Sequence, residues 1–179
     1  VSMSQKDRHP MACVYSSETG LWGNIIWHDH SCKSRTVRFE GPSTLVAHNL
    51  YWEFPFASED VPNNGIGILE FDLEREMLTV QKGPPVEYNF YNCRTIKAIN
   101  GAVGLTALLP LGFLPLQVWH RNINCQDGAN TWVLFKTVYL HDLFGIQERE
   151  RCPRAGRKSA IMGYDEDDNA IFIYLDSSL

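Results

Sequence analysis

Residues able to do chemistry occur at several places along the chain. His28, His30 and Cys32 alternate with Asp29 and Ser31, so on a strand they would share one face, as zinc ligands must. The stretch is polar, reads as a loop and offers no evident fourth ligand, so solvated loop residues are expected. Asp165, Asp167 and Asn169 imitate the start of a calcium loop, but Ala170 stands where the sharp turn needs glycine. Asp176 stands where a bidentate glutamate would close the site. A hairpin turn accounts for the same residues. Glu70 and Asp72 flank Phe71; the expectation is both carboxylates toward solvent and Phe71 in the core. No GxSxG, P-loop or complete GxGxxG occurs, since Gly65-Ile66-Gly67 lacks its third glycine. The reading is therefore a non-enzyme with no catalytic residues, no cofactor and no metal.

One cluster fits binding instead. Arg149, Arg151, Arg154, Arg157 and Lys158 crowd a single stretch, with Glu148 and Glu150 among them. Arginine suits bidentate contact with carboxylate or phosphate. These five residues are the candidate docking site for an acidic or phosphorylated segment of a target protein, against the plainer reading of a solvated loop.

The elements that position these residues read as strands. Helical periodicity is scarce, whereas short runs rich in Val, Ile, Tyr, Phe and Trp recur between Gly, Asn, Asp and Pro. Strands are expected at Ala12–Ser16, Leu21–Trp27, Thr44–Val46, Leu50–Phe54, Ile66–Asp72 and Met77–Gln81. Further strands are expected at Thr95–Ile99, Leu105–Leu109, Leu116–Arg121, Trp132–Leu140, Ser159–Tyr164 and Ala170–Leu175. The uncharged run from Ala98 to Trp119 has the length of a membrane span. Pro110, Pro115, Gly101, Gly104 and Gly112 divide it into strand-sized pieces, so buried strands are expected.

Four segments share the layout apolar strand, aromatic, polar turn, apolar strand. Their turn-side aromatics are Tyr15, Phe71, Trp119 and Tyr164, spaced 56, 48 and 45 residues apart. A period near ~50 residues with about four strands per unit is the mark of kelch-type propeller blades. The expected fold is all-β, a partial β-propeller of about three to four blades forming a single domain over residues 1–179. The five tryptophans (Trp22, Trp27, Trp52, Trp119 and Trp132) are expected mostly to pack between blades. Two irregular stretches, His28–Gly41 and His141–Lys158, interrupt the pattern.

Charge and cysteine usage narrow the function classes. A formal charge of -5 lacks the footprint of a nucleic-acid binder and suits an anionic membrane poorly. Five cysteines at irregular spacing form neither a disulfide framework nor a zinc ribbon. The polar N-terminus has no apolar signal region. A cytoplasmic or nuclear location with reduced thiols is expected, and about three and a half blades read as the C-terminal part of a longer protein.

Taken in order, VYSSETGLWG (Val14–Gly23), LVAHNLYW (Leu45–Trp52), GILEFDLEREMLTV (Gly67–Val80), LQVWHR (Leu116–Arg121) with TWVLFKTVYL (Thr131–Leu140), and IMGYDEDDNAIFIYL (Ile161–Leu175) form a recognisable series. The series resembles the C-terminal F-box-associated, propeller-like domain of plant F-box proteins, over residues 12 to 175. The resemblance implies a domain that selects the target of a ubiquitin ligase, joined to a Skp1-type adaptor through an F-box. No F-box segment is present in these residues. The alternatives are a kelch-like scaffold without a ubiquitin role and a propeller glycosidase. The turn at Ser16–Trp22 is similar to the Asp-box of sialidases, but no arginine cluster with a tyrosine nucleophile and base accompanies it.

Overall fold

The computed structural model describes residues 2–3, 10–28, 41–58, 61–86, 92–109, 115–123, 130–145 and 159–175. Among them the fold is all-β and antiparallel, with one short helix. Strands β1 (Ser2–Met3), β2 (Pro10–Ala12) and β5 (Ile26–Trp27) form a small sheet in the order β1-β2-β5. The β3 (Tyr15–Ser16) and β4 (Leu21–Trp22) pair extends β2 and β5 into one long hairpin, with Gly23 N–H donating to Val14 C=O at 2.7 Å between the two pairs. A four-stranded meander follows: β6 (Thr44–Val46), β7 (Asn49–Ser58), β8 (Val61–Asp72) and β9 (Met77–Lys82). A second four-stranded meander comprises β10 (Cys93–Lys97), β11 (Val103–Leu108), β12 (Pro115–Ile123) and β13 (Asn130–Tyr139). Helix α1 (Leu140–Phe144) ends at Gly145, whose φ of 62° closes it. The chain then forms a two-stranded hairpin, β14 (Ala160–Asp165) and β15 (Ala170–Tyr174).

Within the described part of the uncharged run, β11 occupies Val103–Leu108 and β12 begins at Pro115, while β10 ends at Lys97 just before it. Among the described residues no helix is long and apolar enough to cross a membrane.

The sheets pack face to face in chain order, and period-2 alternation shows how. On β7 and β8, Phe54, Leu69 and Phe71 turn toward the first hairpin, where they meet Ala12, Val14 and Ile26. Their neighbours Tyr51, Ile66 and Ile68 turn the other way, against Cys93, Val103, Leu105 and Ala107 of the second meander. The second meander's far side places Leu108 and Leu116 against Ile161, Ile171 and Ile173 of the last hairpin. The inner strands β8 and β11 are therefore covered on both faces, which is why they read as nearly continuous apolar runs rather than clean alternations.

Three of the four predicted turns are one structure. Each hairpin closes over four residues: Ser16 pairs with Leu21, Asp72 with Met77 and Asp165 with Ala170. The residue before each turn caps it. Ser16 Oγ accepts from Thr19 N–H at 3.3 Å. Asp72 Oδ1 accepts from Glu74 and Arg75, both at 2.9 Å, and Asp165 Oδ1 from Asp167 at 2.9 Å and Asp168 at 3.2 Å. The fourth turn residue is left-handed each time: Gly20 at φ 69°, Glu76 at 48° and Asn169 at 52°. Tyr15, Phe71 and Tyr164 hold the same position, one residue before the cap.

Trp119 does not. It pairs with Leu134 in the middle of the β12–β13 ladder, beside a β-bulge, while the hairpin closes further on at Ile123 and Asn130. These two strands are simply longer, so the aromatic closest in sequence spacing falls short of the turn.

One close approach is built on a missing side chain. Phe54, 1% exposed, pairs with Gly67, and a Cβ at Gly67 would lie 2.5 Å from the ring. Phe54 is packed in one buried cluster with Leu69, Phe71 and Leu78, which limits how far the ring can move. Gly67→Ala should cost about 1–3 kcal/mol by overpacking, read as a lower denaturant midpoint at unchanged slope.

Candidate protein-interaction surface

The structure first relocates the chemistry-bearing residues. His28 Nδ1 lies 3.1 Å from Leu78 C=O, which ties the end of the first hairpin to β9; Asp29, His30 and Cys32 lie outside the described residues. No group of three metal-ligating side chains occurs among the described residues. The calcium-like stretch is a capped hairpin turn, with Asp165 occupied by backbone N–H groups. Arg149, Arg151, Arg154, Arg157 and Lys158 all lie outside the described residues.

Glu70 corrects the sequence reading. Its carboxylate faces the second meander rather than solvent. Oε1 accepts from Asn49 Nδ2 and Tyr51 Oη, both at 3.0 Å, and Oε2 from Gln81 Nε2 at 2.8 Å and Arg121 Nη1 at 2.9 Å. The physical reason is that β8 lies between two sheets, so both of its faces are interfaces and a charge on either face must find a partner. Asp72, at the end of the same strand, is a turn cap that also lies 3.7 Å from Arg75.

A second carboxylate does the same one strand away and was not anticipated. Glu53 Oε1 lies 3.3 Å from Arg94 Nη1, and Oε2 accepts from Thr95 N–H at 3.1 Å and Thr95 Oγ1–H at 3.0 Å. The available signal was a lone charge inside the apolar run Leu50–Phe56, which in a doubly covered strand requires a buried counter-charge. Both pairs join the two meanders. They are structural groups: every described oxygen of Glu53 and Glu70 is engaged by the protein itself.

Burial pushes the Tyr51 phenol up to about 12, with Glu70 adding to the rise. His120 is lowered by desolvation where its ring stacks on Phe135, at 4.3 Å between centroids and 15° between planes.

Among the described residues, several aromatic side chains are left uncovered. On the first hairpin, Tyr15 and Trp22 face each other across the strands with centroids 5.3 Å apart, and Trp22 is 68% exposed. Trp27 and Ile25 are also exposed, on the side opposite Ala12 and Ile26. Trp52 and Trp132 lie against the cores, whereas Trp22 and Trp27 are exposed, against the expectation of packing for them. Trp and Tyr bury large area at little rotamer cost and dominate interface hot spots. Smaller exposed groups are Val133, Leu134 and Phe135 on β13, and Met162, Phe172 and Tyr174 on the last hairpin. The exposed arrangement provides flat, rigid, amphipathic contact area, built by cross-strand pairing on a hairpin whose other side is anchored in the core. Compared with protein-family models, with curated proteins and with solved structures, the chain matches none.

Proposed function

We propose that the chain is a non-catalytic protein-binding module of propeller-like architecture, acting as the target-recognition part of an F-box type ubiquitin ligase. The observation that carries the binding role is the exposed Tyr15–Trp22 pair, with exposed Trp27 on the same hairpin, anchored from behind. Supporting the propeller-like reading are two four-stranded meanders stacked face to face and flanked by hairpins that share one capped turn. The ligase role is supported by the ordered motif series of the sequence, from VYSSETGLWG to IMGYDEDDNAIFIYL. In this reading Arg149, Arg151, Arg154, Arg157 and Lys158 steer an acidic or phosphorylated target segment, and the exposed aromatics supply the buried contact area.

Two measurements test it. Residues 1–179 alone should fail to bind a Skp1-type adaptor at micromolar concentration, because no amphipathic helix for that interface lies among the described residues; the natural reading frame should bind it. Direct adaptor binding by the 179-residue chain would overturn this assignment. In pull-downs from native extract, Trp22→Ser with Trp27→Ser should remove the specifically retained protein. Replacing the five basic residues with Ser should weaken its capture and reduce the salt sensitivity. An unchanged partner set with both variants would dismiss the recognition role for these surfaces.

A further inference from the structure

β6 and β10 are edge strands of the two meanders, and their outward backbone groups need partners. Some partners come from the body of the fold. Thr95 of β10 donates its N–H to Glu53 Oε2 at 3.1 Å, and its carbonyl accepts from Thr44 Oγ1 at 2.9 Å. The others come from the tip of the last hairpin. Lys97 N–H donates to the Tyr164 hydroxyl oxygen at 3.0 Å, and the hydroxyl proton goes to Asn169 Oδ1 at 2.8 Å. Leu45 N–H of β6 donates to Glu166 Oε1 at 2.7 Å, across 121 positions of sequence. One turn thus reaches the edges of both meanders.

The hairpin that carries this turn is lightly held. It has only two strands. One side packs through Ile161, Ile171 and Ile173, while Met162, Phe172 and Tyr174 on the other side are exposed. Two strands covered on one face lie at the low end of local stability. The geometry points to the β14–β15 hairpin as a removable latch over the β6 and β10 edges, held shut by Tyr164 and Glu166. Closed, it satisfies the Leu45 and Lys97 N–H groups and denies these positions to a strand from another chain. Open, it leaves the Thr95 guards in place and frees Leu45 and Lys97 together.

Amide hydrogen exchange on the full chain, read residue by residue, tests the latch. Tyr164→Phe combined with Glu166→Ala should speed exchange at Leu45 and Lys97 about two- to tenfold, the change that loss of an ordinary net hydrogen bond produces. Thr95, Leu69 and Leu105 should keep their wild-type rates. Tyr164→Phe with Glu166→Gln, which retains a carbonyl acceptor, should restore much of the protection at Leu45. Unchanged rates at Leu45 and Lys97 would overturn the proposal. So would an equal rise at Thr95, which would mean general loosening of the sheets rather than release of the hairpin.

Discussion

Glu53→Ala should lower the free energy of unfolding by about 3–5 kcal/mol, the usual cost of removing one member of a buried ion pair. The carboxylate and the Arg94 guanidinium are 9% and 12% exposed, so neither can recover hydration when its partner is lost. The substitution also strips the acceptor from two Thr95 donors on an edge strand. The effect should appear as a fall in urea midpoint with little change in slope. Replacing both members with apolar residues of similar volume, Glu53→Leu with Arg94→Met, should recover much of the loss, because the stranded charge is then gone. A single variant within about 1 kcal/mol of wild type would show that the pair is solvated, contrary to the packing seen here.

Glu70→Ala should cost a similar amount, about 3–5 kcal/mol, because Arg121 is left buried and unpaired. Its consequences reach further, since one carboxylate holds Asn49, Tyr51, Gln81 and Arg121 at once. Tyr51 supplies an independent readout. Its folded-state value of about 12 lies above the ordinary 10.0 chiefly through burial, helped by Glu70. Between those values the unfolded chain gives up the phenol proton while the folded chain retains it. Stability from Tyr51 is therefore complete below pH 10 and declines as pH rises toward 12. A near-ultraviolet absorbance titration should show a phenol ionising near pH 12 that is missing in Tyr51→Phe. In Glu70→Gln, which removes the charge and keeps most of the shape, Tyr51 should ionise at lower pH than in wild type. An unchanged titration would place the Glu70 charge away from the phenol.

Local residue types place most of the strands, but not α1 (Leu140–Phe144), whose first residue the sequence reading gives to a strand. Strand material was legible because Val, Ile and aromatic runs end at turn residues, and turn chemistry is local. Ser16, Asp72 and Asp165 each cap a turn within three residues of themselves, and Gly20 and Asn169 are residues that tolerate the left-handed conformation. Glu76 adopts that conformation without such a preference, and there the ladder on either side of the turn decides. Prolines and glycines likewise divide Ala98–Trp119 into short pieces, of which Val103–Leu108 and Pro115–Trp119 are strand.

Which faces lie inside follows from how the sheets pack. A strand's alternation says that Glu70 and Phe71 point opposite ways, but not that both directions lead into protein. That depends on a sheet contributed some fifty residues later in the chain, whose Arg121 meets Glu70 at 2.9 Å. The same limit explains the tryptophans. Trp22 and Trp52 look alike in sequence, yet Trp52 lies in a meander with neighbours on both sides, and Trp22 lies on the outer side of the first hairpin. Trp119 shows it for register, because the length of the β12–β13 ladder is set by two strands together and not by the spacing along one. The reach of Glu166 to Leu45 belongs wholly to the folded chain: it needs the last hairpin and the edge of the first meander to meet, which no local pattern encodes.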